Sequence, residues 1–214
     1  TLAGFTASAS WTETETWEVA LRYAGEAAGF RFAAGVGYRD ASKGLGDPIN
    51  FVNVYDLLTI DFANSHKSWA GSASLMHMQT GLFATAFYSK VSYEQTGTLS
   101  ILPPIFVLSG PVGSYDTIGY GVQAGWEKNL TGLGSTTFYG EWQKTATKDI
   151  NVTGPFMVSP VGDTKAWGFG VVQSISAADM DLYLGFRRYD SEVPSGCFGI
   201  CQDKVDVIST GARI

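Results

Sequence analysis

Two histidines and two cysteines are the side chains of this sequence best suited to acid–base, nucleophilic or metal chemistry. A Ser-His-Asp hydrolase must bring a nucleophile, a base and an orienting acid together. His66 and His77 fall at opposite ends of one candidate strand, and neither has a nucleophile-elbow motif nearby. Cys197 and Cys201 form a C-x3-C pair in a loop with Gly and Pro, which fits a small disulfide in an oxidising compartment. Binding a metal would need more ligands than this neighbourhood offers, so we expect no enzyme, no metal site and no cofactor.

Charged residues at even spacing indicate a different chemistry. Between Thr16 and Arg39, Glu18 and Arg22 share one parity, and after a short turn Arg31 and Arg39 again share one parity. Successive side chains of a strand point to opposite faces, so the charged residues belong on one face. The other parity is apolar and begins and ends in aromatic residues. This alternation predicts a β-hairpin with one charged and one apolar face.

The same alternation recurs along the chain and predicts an all-β antiparallel architecture of about ten strands. They are residues 3–11, 16–24, 29–39, 68–78, 82–93, 117–127, 135–144, 165–175, 180–190 and 205–214. Short turns at Gly25–Ala28, Gln79–Gly81, Lys128–Gly134 and Ser176–Asp179 alternate with long loops at Asp40–Lys67, Glu94–Asp116, Thr145–Thr164 and Ser191–Lys204. All seven prolines fall in the predicted long loops. Each strand is close to the length that a tilted strand needs to cross a bilayer.

Aromatic residues on the apolar parity fall at two levels, near the loops and near the turns. They are Tyr23, Phe30, Tyr38, Trp69, Tyr120, Trp126, Phe138, Trp142 and Trp167. Rings are favoured at both membrane–water interfaces, so this arrangement predicts a transmembrane β-barrel. The alternative is that these rings form the core of a soluble β-sandwich. Residues 82–93 and 165–175 show no clear outward face.

The opposite parity combines charges with glycines and predicts the lining of a water-filled lumen. The predicted lining residues are Glu18, Arg22, Arg31, Arg39, Glu127, Glu141, Asp181 and Arg187. The glycines between them are too small to fill a narrow barrel, and charges in water need no buried partner. Arginines facing carboxylates across a pore would create a transverse field that tunes ion selectivity. The alternative is that they bind Glu127, Glu141 or loop carbonyls and only stiffen the wall.

The amino-acid composition narrows the possible classes of protein further. The chain has 214 residues, a net charge of −6 and only 16% charged residues, whereas ordinary soluble domains have about 25%. The acidic balance argues against a nucleic-acid partner. The sequence contains no run of about 18 apolar residues, so it predicts no transmembrane helix.

Several stretches resemble the general porins of Gram-negative outer membranes. They are ALRYAGEAAGFRFAAGVGY (Ala20–Tyr38), STTFYGEW (Ser135–Trp142), GFGVVQSISAADMDLYLGFRRYD (Gly168–Asp190) and VISTGARI (Val207–Ile214). The resemblance covers most of the strand sequence and little of the loops. One difference is that the chain stops without the terminal aromatic residue that this family carries on its last strand.

The resemblance implies that residues 1–214 are a single domain forming the C-terminal part of a trimeric barrel of 16 strands. It implies a homotrimer in the bacterial outer membrane, with short turns in the periplasm, long loops outside and lipid and lipopolysaccharide as neighbours. Ions and small hydrophilic solutes would diffuse passively through the channel. Arg22, Arg31 and Arg187 would lie on the barrel wall at the constriction. The alternatives are a substrate-specific channel, an outer-membrane barrel enzyme and a soluble β-sandwich binding module.

Overall fold

A computed structural model describes residues 3–13, 16–41, 49–51, 58–101, 106–152, 162–192 and 204–214. These residues form β-strands and turns, with a single 3-10 turn at Ser176–Ala178. The strands are Phe5–Trp11 (β1), Trp17–Ala27 (β2), Phe30–Ala41 (β3), Ile49–Phe51 (β4), Leu58–His77 (β5), Leu82–Ile101 (β6), Phe106–Lys128 (β7), Thr136–Val152 (β8), Thr164–Ile175 (β9), Met180–Ser191 (β10) and Lys204–Arg213 (β11).

All strands belong to one antiparallel sheet in which neighbours in sequence are neighbours in space. The order is β1-β2-β3-β5-β6-β7-β8-β9-β10-β11, and the short β4 pairs with β5 outside this path. Each of the ten predicted strands corresponds to one strand of this path, so the all-β antiparallel prediction is confirmed. Among the described residues, β1 and β11 each pair with one neighbour.

Tight turns connect the strands along one edge of the sheet, which we call the short-turn edge. Ala28 and Gly29 both have positive φ, 50° and 82°, as a two-residue type I′ hairpin requires. The predicted turn at Gly25–Ala28 is therefore displaced, because β2 continues to Ala27. At the next turn Gly81 has a φ of 76°, and its carbonyl accepts a hydrogen bond of 2.9 Å from the Glu127 amide.

Strands β5 to β8 are longer than predicted, and much of the sequence assigned to long loops is strand. β5 and β6 pair from Leu58↔Ile101 down to His77↔Leu82. The prediction missed the upper part because its apolar residues change parity: Leu58, Ile60 and Phe62 are even-numbered, whereas Trp69 and Leu75 are odd-numbered. A search that follows one apolar face stops at that change.

Pro111 corrects the prediction that all prolines lie outside strands, because it lies within β7. The register between β6 and β7 shifts at this point, since Gln95 pairs with Gly113 and Thr96 pairs with Pro111. Proline has no amide to donate to a ladder and is tolerated at bulges. The other six prolines lie outside the described residues.

The described part of the chain is a single layer with very little core. Its buried residues other than glycine are Ala41, Tyr115, Thr136, Ala146 and Ala166, and no second sheet packs on either face. Many large apolar side chains stay exposed instead. No helix among these residues has the length and apolar character of a membrane span.

Candidate functional site

The strand register divides the side chains into two faces with different chemistry. Residues directly opposite each other in an antiparallel pair share a face, so Val19↔Tyr38, Tyr38↔Trp69 and the pairs that follow trace one face across the sheet. All nine predicted interface aromatics occur on this face, which we call the apolar face. All eight predicted lining residues occur on the other, which we call the polar face. The register also assigns the faces of residues 82–93 and 165–175.

Aromatic residues on the apolar face contact one another in two rows. The upper aromatic row, at the strand ends opposite the short turns, contains the ring pairs Trp17–Tyr38 at 5.2 Å, Trp69–Tyr88 at 4.9 Å and Tyr120–Trp142 at 5.7 Å.

The row near the short turns contains Phe5–Tyr23 at 4.5 Å and Trp126–Phe138 at 6.3 Å. Trp126 also donates from Nε1 to the Thr80 carbonyl at 2.8 Å, so its polar end reaches the turn while its ring covers the sheet.

The surface between these rows is apolar, and many of its side chains are exposed. Val36 and Val122 are each 54% exposed, and Leu184 is 53% exposed. An apolar surface extending across ten strands is far larger than the patches that water-soluble monomers leave open.

Ion pairs border the apolar face at the strand ends opposite the short turns, and we call this border the rim. The pairs are Lys90 Nζ–Asp116 Oδ2 at 2.6 Å, Lys144 Nζ–Asp163 Oδ2 at 2.5 Å, Lys165 Nζ–Glu192 Oε1 at 3.3 Å, Lys67 Nζ–Asp40 Oδ2 at 4.0 Å and Arg188 with both oxygens of Asp206 at 2.6 Å. Arg188 also lies over the Trp167 ring at 5.9 Å. Charge therefore begins at the level of the upper aromatic row, where Lys90, Lys144 and Arg188 lie opposite Trp69, Tyr120 and Trp167 in the register.

These pairs change the acidity of two rim carboxyls. Burial alone would raise the pKa of Asp116, but hydrogen bonds from Lys90 and Ser92 together with the Lys90 charge hold that pKa below its usual value. The hydrogen bonds and charge of Arg188 lower the pKa of Asp206. Both aspartates are thus held as carboxylates to a lower pH than usual.

On the polar face, Glu141 and Arg187 form an ion pair across an intervening strand. Gly168 of β9 pairs with both residues in the register, and Arg187 Nε donates to Glu141 Oε1 at 2.7 Å. A Cβ at Gly168 would lie 3.2 Å from that oxygen and 2.5 Å from the Phe186 carbonyl. Glycine is required here because a Cβ would collide with the Phe186 carbonyl and would also crowd the ion pair beside it. Arg187 also donates to the Tyr189 hydroxyl at 3.1 Å.

Two further pairs involve partners that the sequence did not indicate. Arg31 Nε donates to Glu26 Oε1 at 2.8 Å; Glu26 was missed because it was assigned to the turn. Arg213 pairs with Asp181 at 2.5 Å; its position follows from the parity of the last strand. Among the described residues, the alternative that the arginines bind Glu127, Glu141 or loop carbonyls is thus met by Arg187 alone.

Arg22, Arg39 and Glu18 form no ion pair among the described residues. They line an open trough of about 300 Å³ together with Ser8, Ser10 and Ser68. The bottom of the trough is made of Ala20, Gly37 and Ala70. Arg22 and Arg31, predicted to act together, are thus in different surroundings.

Aromatic rings on the polar face lie against glycines of the next strand. A Cβ at Gly121 would lie 2.7 Å from Phe87, and one at Gly170 would lie 2.6 Å from the Tyr139 hydroxyl. These rings were missed because the fit depends on cross-strand register. Glycine on this face therefore accommodates rings as well as leaving space.

The histidines lie on different faces. His66 is on the polar face with its ring 5.7 Å from that of Tyr93, and His77 is on the apolar face with its ring 4.8 Å from Phe30. His77 Nδ1 is also 2.8 Å from the Thr80 hydroxyl. Cys197 and Cys201, predicted to form a disulfide, lie outside the described residues.

No protein-family model matches the sequence, and comparisons with curated proteins and with solved structures give no significant match.

Proposed function

We propose that this chain forms part of the wall of a water-filled β-barrel channel in a bacterial outer membrane. Its apolar face would contact hydrocarbon, and its polar face would line a pore for ions and small hydrophilic solutes. One observation carries the proposal: an exposed apolar face extends across ten strands, and between its two aromatic rows the charged side chains of those strands lie on the other face. Lipid satisfies both faces, because it removes the apolar face from water and leaves the charges solvated.

The dimensions of the apolar face support this assignment. On β3 the apolar positions run from Phe30 to Tyr38, which is about 27 Å along an extended strand. At the tilt of about 35–45° found in such barrels, this length spans about 19–22 Å along the membrane normal, close to their apolar bands of about 25 Å between aromatic girdles. The rim then falls at the level of lipid headgroups, where charged side chains remain hydrated.

The upper parts of β5 and β6 agree with an apolar band of limited height. Beyond Lys67, the next positions that continue the apolar face in register pair Ser65 with Glu94. Polar residues replace apolar ones on this face once the strands pass the rim. Hydrocarbon contact is needed only below it.

The edges of the sheet require closure in this environment. Each of β1 and β11 has one row of backbone groups without a strand partner in the described part, and hydrocarbon cannot satisfy such groups. Ten alternating strands make β1 and β11 antiparallel, so a closed antiparallel barrel is compatible with this sheet. The resemblance to general porins supports a homotrimer with lipopolysaccharide around the rim.

Conductance measurements test the proposal directly. The purified protein is refolded in detergent, checked for a folded form that migrates faster on a gel before boiling, and added to a planar lipid bilayer. We expect stepwise currents that depend linearly on voltage, because passive diffusion needs no gating or turnover. Folded, membrane-inserted protein that produces no conductance steps would refute the channel.

The same preparation separates the competing functions. A soluble β-sandwich would partition into the aqueous phase without detergent, and a barrel enzyme would insert without conducting. A substrate-specific channel would conduct and be blocked by one solute at low concentration.

A further inference from the structure

Charge compensation differs between the two halves of the polar face. On β8 to β11 each polar-face arginine binds a carboxylate, Arg187 with Glu141 and Arg213 with Asp181. On β2 and β3, Arg22 and Arg39 form no ion pair among the described residues, although Arg31 on the same strands binds Glu26. Within the described part of the chain, the polar-face arginines without a carboxylate partner are therefore the two that line the trough.

The trough has the donors and the shape of an anion site. Arg22 and Arg39 both line it, together with Ser8, Ser10 and Ser68. Small residues separate the two arginines along the strands, because the Ala20↔Gly37 pair lies between the Glu18↔Arg39 and Arg22↔Gly35 pairs in the register. A small solute can therefore reach the guanidinium groups from the open side.

We propose that this trough is a weak binding site for a small oxyanion, with inorganic phosphate as its simplest ligand. Guanidinium groups match the oxygens of phosphate and carboxylate with paired N–H donors, and serine hydroxyls donate to the remaining oxygens. This inference rests on the proposed channel and specifies its solute class. Permeation requires sites that bind solutes but also release them.

Glu18 sets the strength of the site. It lies directly opposite Arg39 in the register and lines the same trough. With both arginines charged and Glu18 ionised, the trough has a net charge of +1 from these three residues. Glu18 therefore weakens anion binding without abolishing it.

Phosphate block of the channel current tests the site in the intact protein. Addition of inorganic phosphate at constant chloride should lower the open-channel current saturably. The double variant Arg22→Gln/Arg39→Gln should raise the half-blocking concentration about tenfold or more, because charged donors are lost. Glu18→Gln should lower it, whereas the control Arg31→Gln should leave it within about twofold, since Arg31 is already paired and exposed.

Failure of this inference differs from failure of the channel. If wild-type protein conducts but phosphate does not block, or if the double variant and Arg31→Gln respond alike, the trough is not an anion site. If wild-type protein does not conduct, the channel is refuted. Phosphate binding is then measured by ³¹P NMR line broadening on the folded protein in detergent, and equal broadening by wild type and double variant overturns the site.

Discussion

Val122 and Gln123 are consecutive residues of β7 on opposite faces of the sheet, and their surroundings differ throughout. Val122 pairs with Ala86 and Trp142, whereas Gln123 pairs with Thr85 and Glu141. Between its aromatic rows the apolar face of the described strands has no charged side chain, whereas at the same height the polar face has Glu141 and Arg187, which pair across Gly168. The proposed channel explains this contrast by placing hydrocarbon against one face and water against the other.

Placing the same charge on each face tests this difference with the largest expected effect. Val122→Arg should destabilise the folded protein in a lipid bilayer by about 2–4 kcal/mol, the cost of an arginine at the lipid-facing midplane of a barrel. Gln123→Arg should have little effect because Glu141 is its cross-strand neighbour on the polar face. Urea titration of bilayer-refolded protein, monitored by tryptophan fluorescence, gives both free energies of unfolding. Equal costs for the two variants would mean that the faces do not meet different solvents.

The difference between the faces was predictable from sequence because it depends only on parity within a strand. Trp69 and Leu75 share a parity that any period-two pattern reveals. Contacts that depend on register were not predictable, since Glu141, Gly168 and Arg187 come together only after three strands align. The upper part of β5 was missed for a different reason, because its apolar residues change parity at the rim.

Glycine provides a second, smaller test of the comparison. Gly121→Ala on the polar face should destabilise by about 1–3 kcal/mol, because over-packing forces neighbours to shift and the new Cβ would lie 2.7 Å from both Phe87 and the Trp142 carbonyl. Gly140→Ala on the apolar face is the matched control, since only the Gly168 carbonyl at 3.8 Å comes near. The same urea titration measures both, and a cost at Gly140 as large as at Gly121 would contradict ring-over-glycine packing as a property of the polar face.

Acid should weaken the ion pairs of the rim, and we expect this to change the stability of the folded protein least of the three tests. The pKa of Asp116 is held low, against the effect of burial, by hydrogen bonds from Lys90 and Ser92 and by the Lys90 charge. A carboxyl whose pKa is lower in the folded than in the unfolded state stabilises the fold above its unfolded pKa of about 3.9, and this contribution is lost as pH falls through the folded pKa. Asp116→Asn should therefore lower the thermal midpoint at pH 7 by at most a few degrees and should leave it unchanged at pH values below the folded pKa. Thermal unfolding followed by gel mobility over this pH range measures the difference between the two proteins. A difference that persists unchanged at the lowest pH would show that Asp116 acts through packing and that its charge does not stabilise the edge of the apolar face.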